Sequence, residues 1–184
     1  MLSFSLIAFF GCQEFDNKEI VDVKSEISVL KSTSDQEKYL ESIHQSDQEI
    51  RNGESSEILL EYGEDSEELQ AFYQRMDSID NLNLERIDLY LEKFGYPGID
   101  SFSDNANSAP WLVIHHQSNP QSRKDYFPLL KQAYDNGDIN TTQFEMYLGR
   151  TYQMVNGKYP ASEGSYKAEE KIKWLIEELG LDKS

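Results

Sequence analysis

Residues 66–94 read SEELQAFYQRMDSIDNLNLERIDLYLEKF. Leu69, Phe72, Tyr73, Met76 and Ile79 recur at steps of three and four, which places them on one face of a helix. Ser66 stands where an N-cap hydroxyl is favoured. A second helix is expected from Leu84 to Phe94, with Asn83 as its N-cap and Leu84, Ile87, Leu91 and Phe94 as its stripe. Gly95 occupies the C′ position, and Pro97 stops continuation. The aromatic pair Phe72/Tyr73 reads as core.

The same period runs outward in both directions. Toward the N-terminus, Tyr39, Leu40, Ile43 and Ile50 give a helix over 36–51, with Ser34 or Asp35 as cap and Asn52-Gly53 as its end. Residues 54–65 are ambiguous and are broken by Gly63. Toward the C-terminus, 98–107 read as a loop. Ser108 is expected to cap a helix with Pro110 in its first turn. Trp111, Leu112, Val113 and Ile114 are apolar all round, so that helix should lie in the core. Amphipathic helices are predicted over 122–136, 141–155 and about 165–179. Their breaks fall at Asn136-Gly137, Asn156-Gly157 with Pro160, and Gly180. No alternating apolar run argues for a sheet. The expected fold is all-α, a compact multi-helix bundle of one domain over 36–184.

The chain has 184 residues, 38% hydrophobic and 12% aromatic, enough for one sizeable core. Residues 1–110 hold 8 Lys+Arg against 24 Asp+Glu, while residues 111–184 hold 9 against 10. An acidic surface of this kind repels phosphate backbones and anionic headgroups, so nucleic acid is excluded as a partner. Residues 1–11, MLSFSLIAFFG, form an apolar run that ends directly before Cys12, the single cysteine. Eleven residues are too few to span a bilayer, which takes about 20, but they suit the apolar part of a signal peptide. The segment resembles a bacterial lipoprotein signal, although Phe9 sits where leucine is commonest and no basic residue precedes the run. The resemblance implies removal of 1–11, acylation of Cys12, and attachment to the bacterial cell envelope by a lipid anchor. Residues 12–35 then form a tether in which Ile20, Val21, Val23, Ile27, Val29 and Leu30 could dock or form a short strand.

No phosphate-binding glycine loop, CxxC, HExxH or nucleophile elbow is present, and neither metal nor cofactor is expected. The adjacent histidines His115 and His116 end the apolar helix. One of them should face inward and need a partner. We expect His116 to be that one and His115 to turn toward solvent. Such a histidine is either a satisfied core residue or a pocket group for binding and proton transfer.

The stretch Asp80, Asn83, Gly95-Tyr96-Pro97, Ala106, Ala109-Pro110-Trp111-Leu112-Val113-Ile114 and His116 resembles a bacterial family of small helical domains with no assigned function. That family shows Asp-x-x-Asn, a helix closed by Gly-Trp-Pro, and an Ala-Ala-Trp-Leu-Ile-like helix ending in His. The resemblance covers about residues 66–160 and extends through Gly137-Asp138 to a helix ending in Arg150. It implies a helical fold. It selects His116 rather than His115, and it makes Asp80, Asn83 and Arg150 the nearest candidate partners. The chain departs from the family at its polar end. Gly149 precedes Arg150 where the family has Asp, and Tyr159-Pro160-Ala161-Ser162-Glu163-Gly164 replaces Gln-x-Tyr-Gly-Thr-Gln.

Two functions follow as expectations. One is a non-enzymatic helical module that binds a small ligand or an envelope protein, with Asn83, Trp111 and His115 as candidate binding residues. The other is a hydrolase or proton-transfer enzyme that uses His116 with Asp80 and Arg150. Each candidate also has a structural alternative: Asp80 and Asn83 as helix caps, and Arg150 as half of an ion pair. Convergence of Asp80, His116 and Arg150 in one open pocket would favour the second function.

Overall fold

The computed structural model describes residues 22–160 and 167–183. The apolar leader 1–11, Cys12 and the first part of the tether lie outside the described residues, as does the expected start of the last helix near Ser165. Among the described residues there are nine α-helices, a short 3-10 turn at the end, and no strand. The all-α expectation holds. No helix among the described residues is long and apolar enough to cross a membrane.

Helix α1, Val23–Val29, corrects the tether. Its N-cap carboxylate, Asp22, accepts from Ser25 N at 3.3 Å. Its apolar side sends Val23, Ile27 and Leu30 into the core. The docked element is therefore a helix and not a strand, and the domain begins before residue 36. Helix α2, Thr33–Glu49, starts one turn earlier than Asp35, because Ser32 and Asp35 form a reciprocal capping box. The ambiguous stretch becomes helix α3, Glu54–Tyr62, which buries none of its residues.

Helix α4, Glu67–Phe94, is one unbroken element of 28 residues where two were predicted. Asn83 lies in its middle and caps nothing. No glycine or proline interrupts 80–84, and the buried positions Leu69, Phe72, Asn83, Ile87 and Tyr90 keep the helical spacing through the supposed boundary. Tyr73 is 46% exposed, so only Phe72 of that pair is core. Helix α5, Asp104–His116, also starts early. Ser103 and not Ser108 is its N-cap, which leaves Pro110 inside the helix.

The predicted helix over 122–136 is two, α6 Pro120–Asp125 and α7 Phe127–Asn136. Pro128, in the first turn of α7, has no N–H to continue the earlier ladder. Helix α8, Thr141–Asn156, opens on an Asn140/Gln143 capping box, and α9 covers Ala168–Glu178.

Two apolar clusters fill the interior. One joins α1, α2, α4 and α5 through Val23, Ile27, Leu40, Ile43, Ile87, Tyr90, Ala109 and Val113. The other joins α5, α7, α8 and α9 through Trp111, Ile114, Leu130, Phe144, Tyr147, Leu148 and Leu175. Helix α5 is buried on both sides, as its all-round apolar sequence predicted. Its C-terminal end borders a cleft that is also lined by residues of α4 and α8 and by Arg51, just after α2.

Candidate functional site

A cleft of about 620 Å³ opens at the C-terminal end of α5. It is lined by Arg51 after α2, by Met76, Asp77, Asp80 and Asn81 on α4, by His116, Gln117 and Ser118, and by Arg150 on α8. The volume lies within the range of small-ligand sites. Asp80, His116 and Arg150, far apart in sequence, meet here.

His116 does not pair with any of the expected partners. Its Nδ1 lies 2.8 Å from Asp47 Oδ1. An ionised carboxylate can only accept, so His116 Nδ1–H is the donor; in the neutral ring this places the lone pair on the opposite nitrogen, Nε2. Asp47 is 1% exposed, and a buried carboxylate needs several partners. Arg51 Nη1 donates to its Oδ1 at 3.1 Å, and Gln48 Nε2 donates to its Oδ2 at 2.9 Å. Burial alone would raise the Asp47 pKa. The hydrogen bond and charge of His116, together with Arg51 and Gln48, outweigh it and hold the carboxyl below the usual range.

Arg51 also grips Asp80 with Nη2, at 2.8 Å to Oδ1 and 2.7 Å to Oδ2. A polar chain thus runs His116–Asp47–Arg51–Asp80 and ties the end of α5 to α2 and α4. Asp80 acts in this chain as the anchor of Arg51 rather than as a partner of His116. Sequence reasoning missed Asp47 and Arg51, although their i,i+4 spacing on an acidic helix is a visible pairing signal.

His116 is partly interior, as expected, with its side chain 15% exposed and paired to a buried carboxylate, but His115 does not turn toward solvent. His115 is buried and His116 lines the cleft. The His115 ring stacks on Trp111, with centroids 5.0 Å apart, and its Nδ1 has no partner among the described residues. Burial, reinforced by the positive charges of Arg123 and Arg150, pushes the His115 pKa down to about 3, so its ring is neutral. Trp111 is a structural wedge whose Nε1 donates to Gln143 O at 2.8 Å. Asn83, 1% exposed, has neither side-chain atom paired among the described residues and does not line the cleft.

The peptide groups next to the histidines are pinned from behind by Arg123, which is completely buried. Its Nη1 donates to Ile114 O at 3.0 Å and to His115 O, its Nη2 donates to Tyr147 O at 2.8 Å, and its Nε donates to Thr151 Oγ1 at 2.9 Å. A cation here satisfies the last carbonyls of α5 and opposes their dipole. Nothing in the sequence around Ser122-Arg123-Lys124 marks Arg123 as interior.

Arg150 is half-buried and makes no hydrogen bond or ion pair to any described residue. It also lines a neighbouring cleft with His115, Glu145, Met146, Gly149, Tyr159, Pro160 and Lys171. Glu145, an acid on the same helix, is taken by Lys171 Nζ at 2.6 Å. Among the described residues no group of three or more His, Cys, Asp or Glu is placed to hold a metal ion.

The arrangement lines one open cleft with an imidazole oriented by a buried carboxylate and with a guanidinium that is unpaired among the described residues. No protein-family model matches the chain, and no curated protein and no solved structure matches it.

Proposed function

We propose that the protein is an envelope-anchored helical domain whose cleft binds a small ligand and transfers a proton to or from it through His116. The observation that carries this reading is the convergence of Asp80, His116 and Arg150 in one open cleft. It is supported by the Asp47–His116 pair behind the cleft, because a carboxylate on Nδ1 fixes the tautomer and stabilises the imidazolium that forms when Nε2 takes a proton. Asp47 and Arg51 are positioning residues. His116 is the group that meets the ligand. The resemblance of residues 66–160 to the helical family belongs to the same proposal, since it singles out Asp80, His116 and Arg150.

Hydrolysis illustrates the chemistry. Water attacks an acyl carbon while its proton passes to Nε2, and the imidazolium then protonates the leaving oxygen, which restores the neutral ring. p-Nitrophenyl acetate is a suitable probe. A positioned general base contributes roughly 100-fold or more. The wild-type protein should therefore hydrolyse the ester about 100-fold faster than His116→Gln, with Asp47→Asn in between. Equal rates for wild type and His116→Gln would overturn the reading.

The anchor half of the proposal rests on the apolar run before Cys12. A doubly or triply acylated cysteine gives stable membrane attachment. Intact-mass analysis of membrane-fraction protein should find a chain that begins at an acylated Cys12. A chain that retains Met1 and carries an unmodified thiol would remove this half.

A further inference from the structure

We propose that the ligand of the cleft carries a single carboxylate, which seats on the guanidinium of Arg150. This deepens the cleft reading above and rests on it.

The chain has five arginines among 17 basic residues, against 34 acidic ones. With acids in two-fold excess, an arginine that reaches protein carboxylates finds one. Arg51 holds Asp47 and Asp80, Arg75 holds Glu54 at 2.6 Å, and Arg86 holds Glu26 at 2.8 Å. Arg123 is saturated by carbonyl and hydroxyl oxygens. Arg150 alone of the five has no partner among the described residues, and it lines the same cleft as His116. Two acids that line a cleft with it are engaged elsewhere: Arg51 holds both oxygens of Asp80, and Lys171 holds Glu145; Asp77, also in the cleft lining, makes no ion pair with Arg150. Among the described residues the Arg150 guanidinium thus has no anionic partner.

A guanidinium presents parallel N–H donors in one plane, which match two oxygens on one carbon. Charge decides between a carboxylate and a phosphate. The charged residues lining the cleft are Arg51 and Arg150 against Asp77 and Asp80, so the lining is neutral overall, and buried Asp47 lies directly behind Arg51. The whole chain carries −17. A phosphate dianion would enter a site with no surplus of positive charge, on a protein that repels it. A monoanion needs only the Arg150 guanidinium. Arg150 and His116 line the same cleft, so a carboxylate docked on Arg150 places the rest of its molecule in the space that the imidazole also borders.

The test uses the Nε–Hε spectrum of the isotope-labelled protein, in which five arginines give five signals. Sodium acetate is titrated against sodium chloride at matched ionic strength, with inorganic phosphate as a second arm. Acetate should shift the Arg150 signal saturably, with a millimolar dissociation constant as befits so few atoms, while chloride should not. Because the variants lack the Arg150 reporter, their acetate binding is followed through the backbone amide signals of Gln117 and Ser118, which line the same cleft and are titrated in wild type alongside. Arg150→Lys, which keeps the charge and loses the fork, should bind acetate about tenfold more weakly. Arg150→Gln should abolish binding; if that variant does not fold, Arg150→Lys carries the test. A linear, chloride-like response to acetate overturns the proposal. Phosphate binding more tightly than acetate overturns the carboxylate assignment, as does an Arg150→Lys variant that binds acetate as tightly as wild type. His116→Gln should retain the acetate shift. If wild type binds acetate but hydrolyses p-nitrophenyl acetate no faster than His116→Gln, the proton-transfer reading fails while the anion site stands.

Discussion

Two adjacent histidines on one helix meet different surroundings because neighbours point about 100° apart. His115 lies four residues after Trp111, on the same face, and the tryptophan carries it into the core. That i,i+4 relation was legible in the sequence, and it predicts the inward histidine better than proximity to the helix end. Its acid response has a definite sign. Burial depresses the folded pKa of His115 from 6.5 to about 3, so the unfolded chain takes the proton first. The stability it permits is complete above about pH 6.5 and declines as pH falls toward about 3. The depressed Asp47 carboxyl acts in a lower window: its contribution is present above 3.8 and is lost as pH falls through the still lower folded value. The unfolding free energy of wild type from urea melts should therefore fall by on the order of 1 kcal/mol between about pH 6.5 and 5, after allowance for the partial exposure of His115 to the neighbouring cleft. The drop should shrink in His115→Gln. An identical drop in both proteins would mean that His115 is protonated in the fold.

At the scale of elements, what the sequence reveals best is periodicity, and what it hides is where one period stops. Asn83 reads as a cap because asparagine favours that position. Yet the spacing Leu69, Phe72, Asn83, Ile87, Tyr90 runs straight through it, and the helix follows the spacing. An asparagine with both polar atoms unpaired in the core costs about 1–3 kcal/mol, which no propensity rule would place there. Helix α1 was hidden for the opposite reason. Its seven residues are too few to show a stripe, and their polar composition resembles a tether. Its docking is testable by contrast. Ile27 is 6% exposed and Val29 is 66% exposed. Ile27→Ala should destabilise the domain by about 2–4 kcal/mol, and Val29→Ala by less than about 0.5 kcal/mol. Equal small effects in thermal melts would return residues 22–30 to the tether.

Across the whole molecule, the site is a junction. The end of α5 brings His116, the end of α2 brings Asp47 and Arg51, the middle of α4 brings Asp80, and α8 brings Arg150. Three of these residues were singled out in the sequence by pattern. The two that orient His116 were not, because Asp47 and Arg51 look like a solvated ion pair on one of many acidic helices until tertiary packing buries them. Removing Arg51 or His116 leaves the buried Asp47 carboxylate short of a partner, a cost tempered by the 22% exposure of Arg51. The fold therefore commits stability to holding one imidazole in one orientation. The claim at the centre is that Asp47 accepts from Nδ1–H of His116 and leaves Nε2 as a base facing the cleft. Long-range proton–nitrogen correlation of the histidine rings near pH 8 reads the tautomer directly. His116 should appear as the Nδ1–H form, and Asp47→Ala should release it to the mixture dominated by Nε2–H that free imidazoles adopt. A wild-type His116 already in the Nε2–H form would contradict the account.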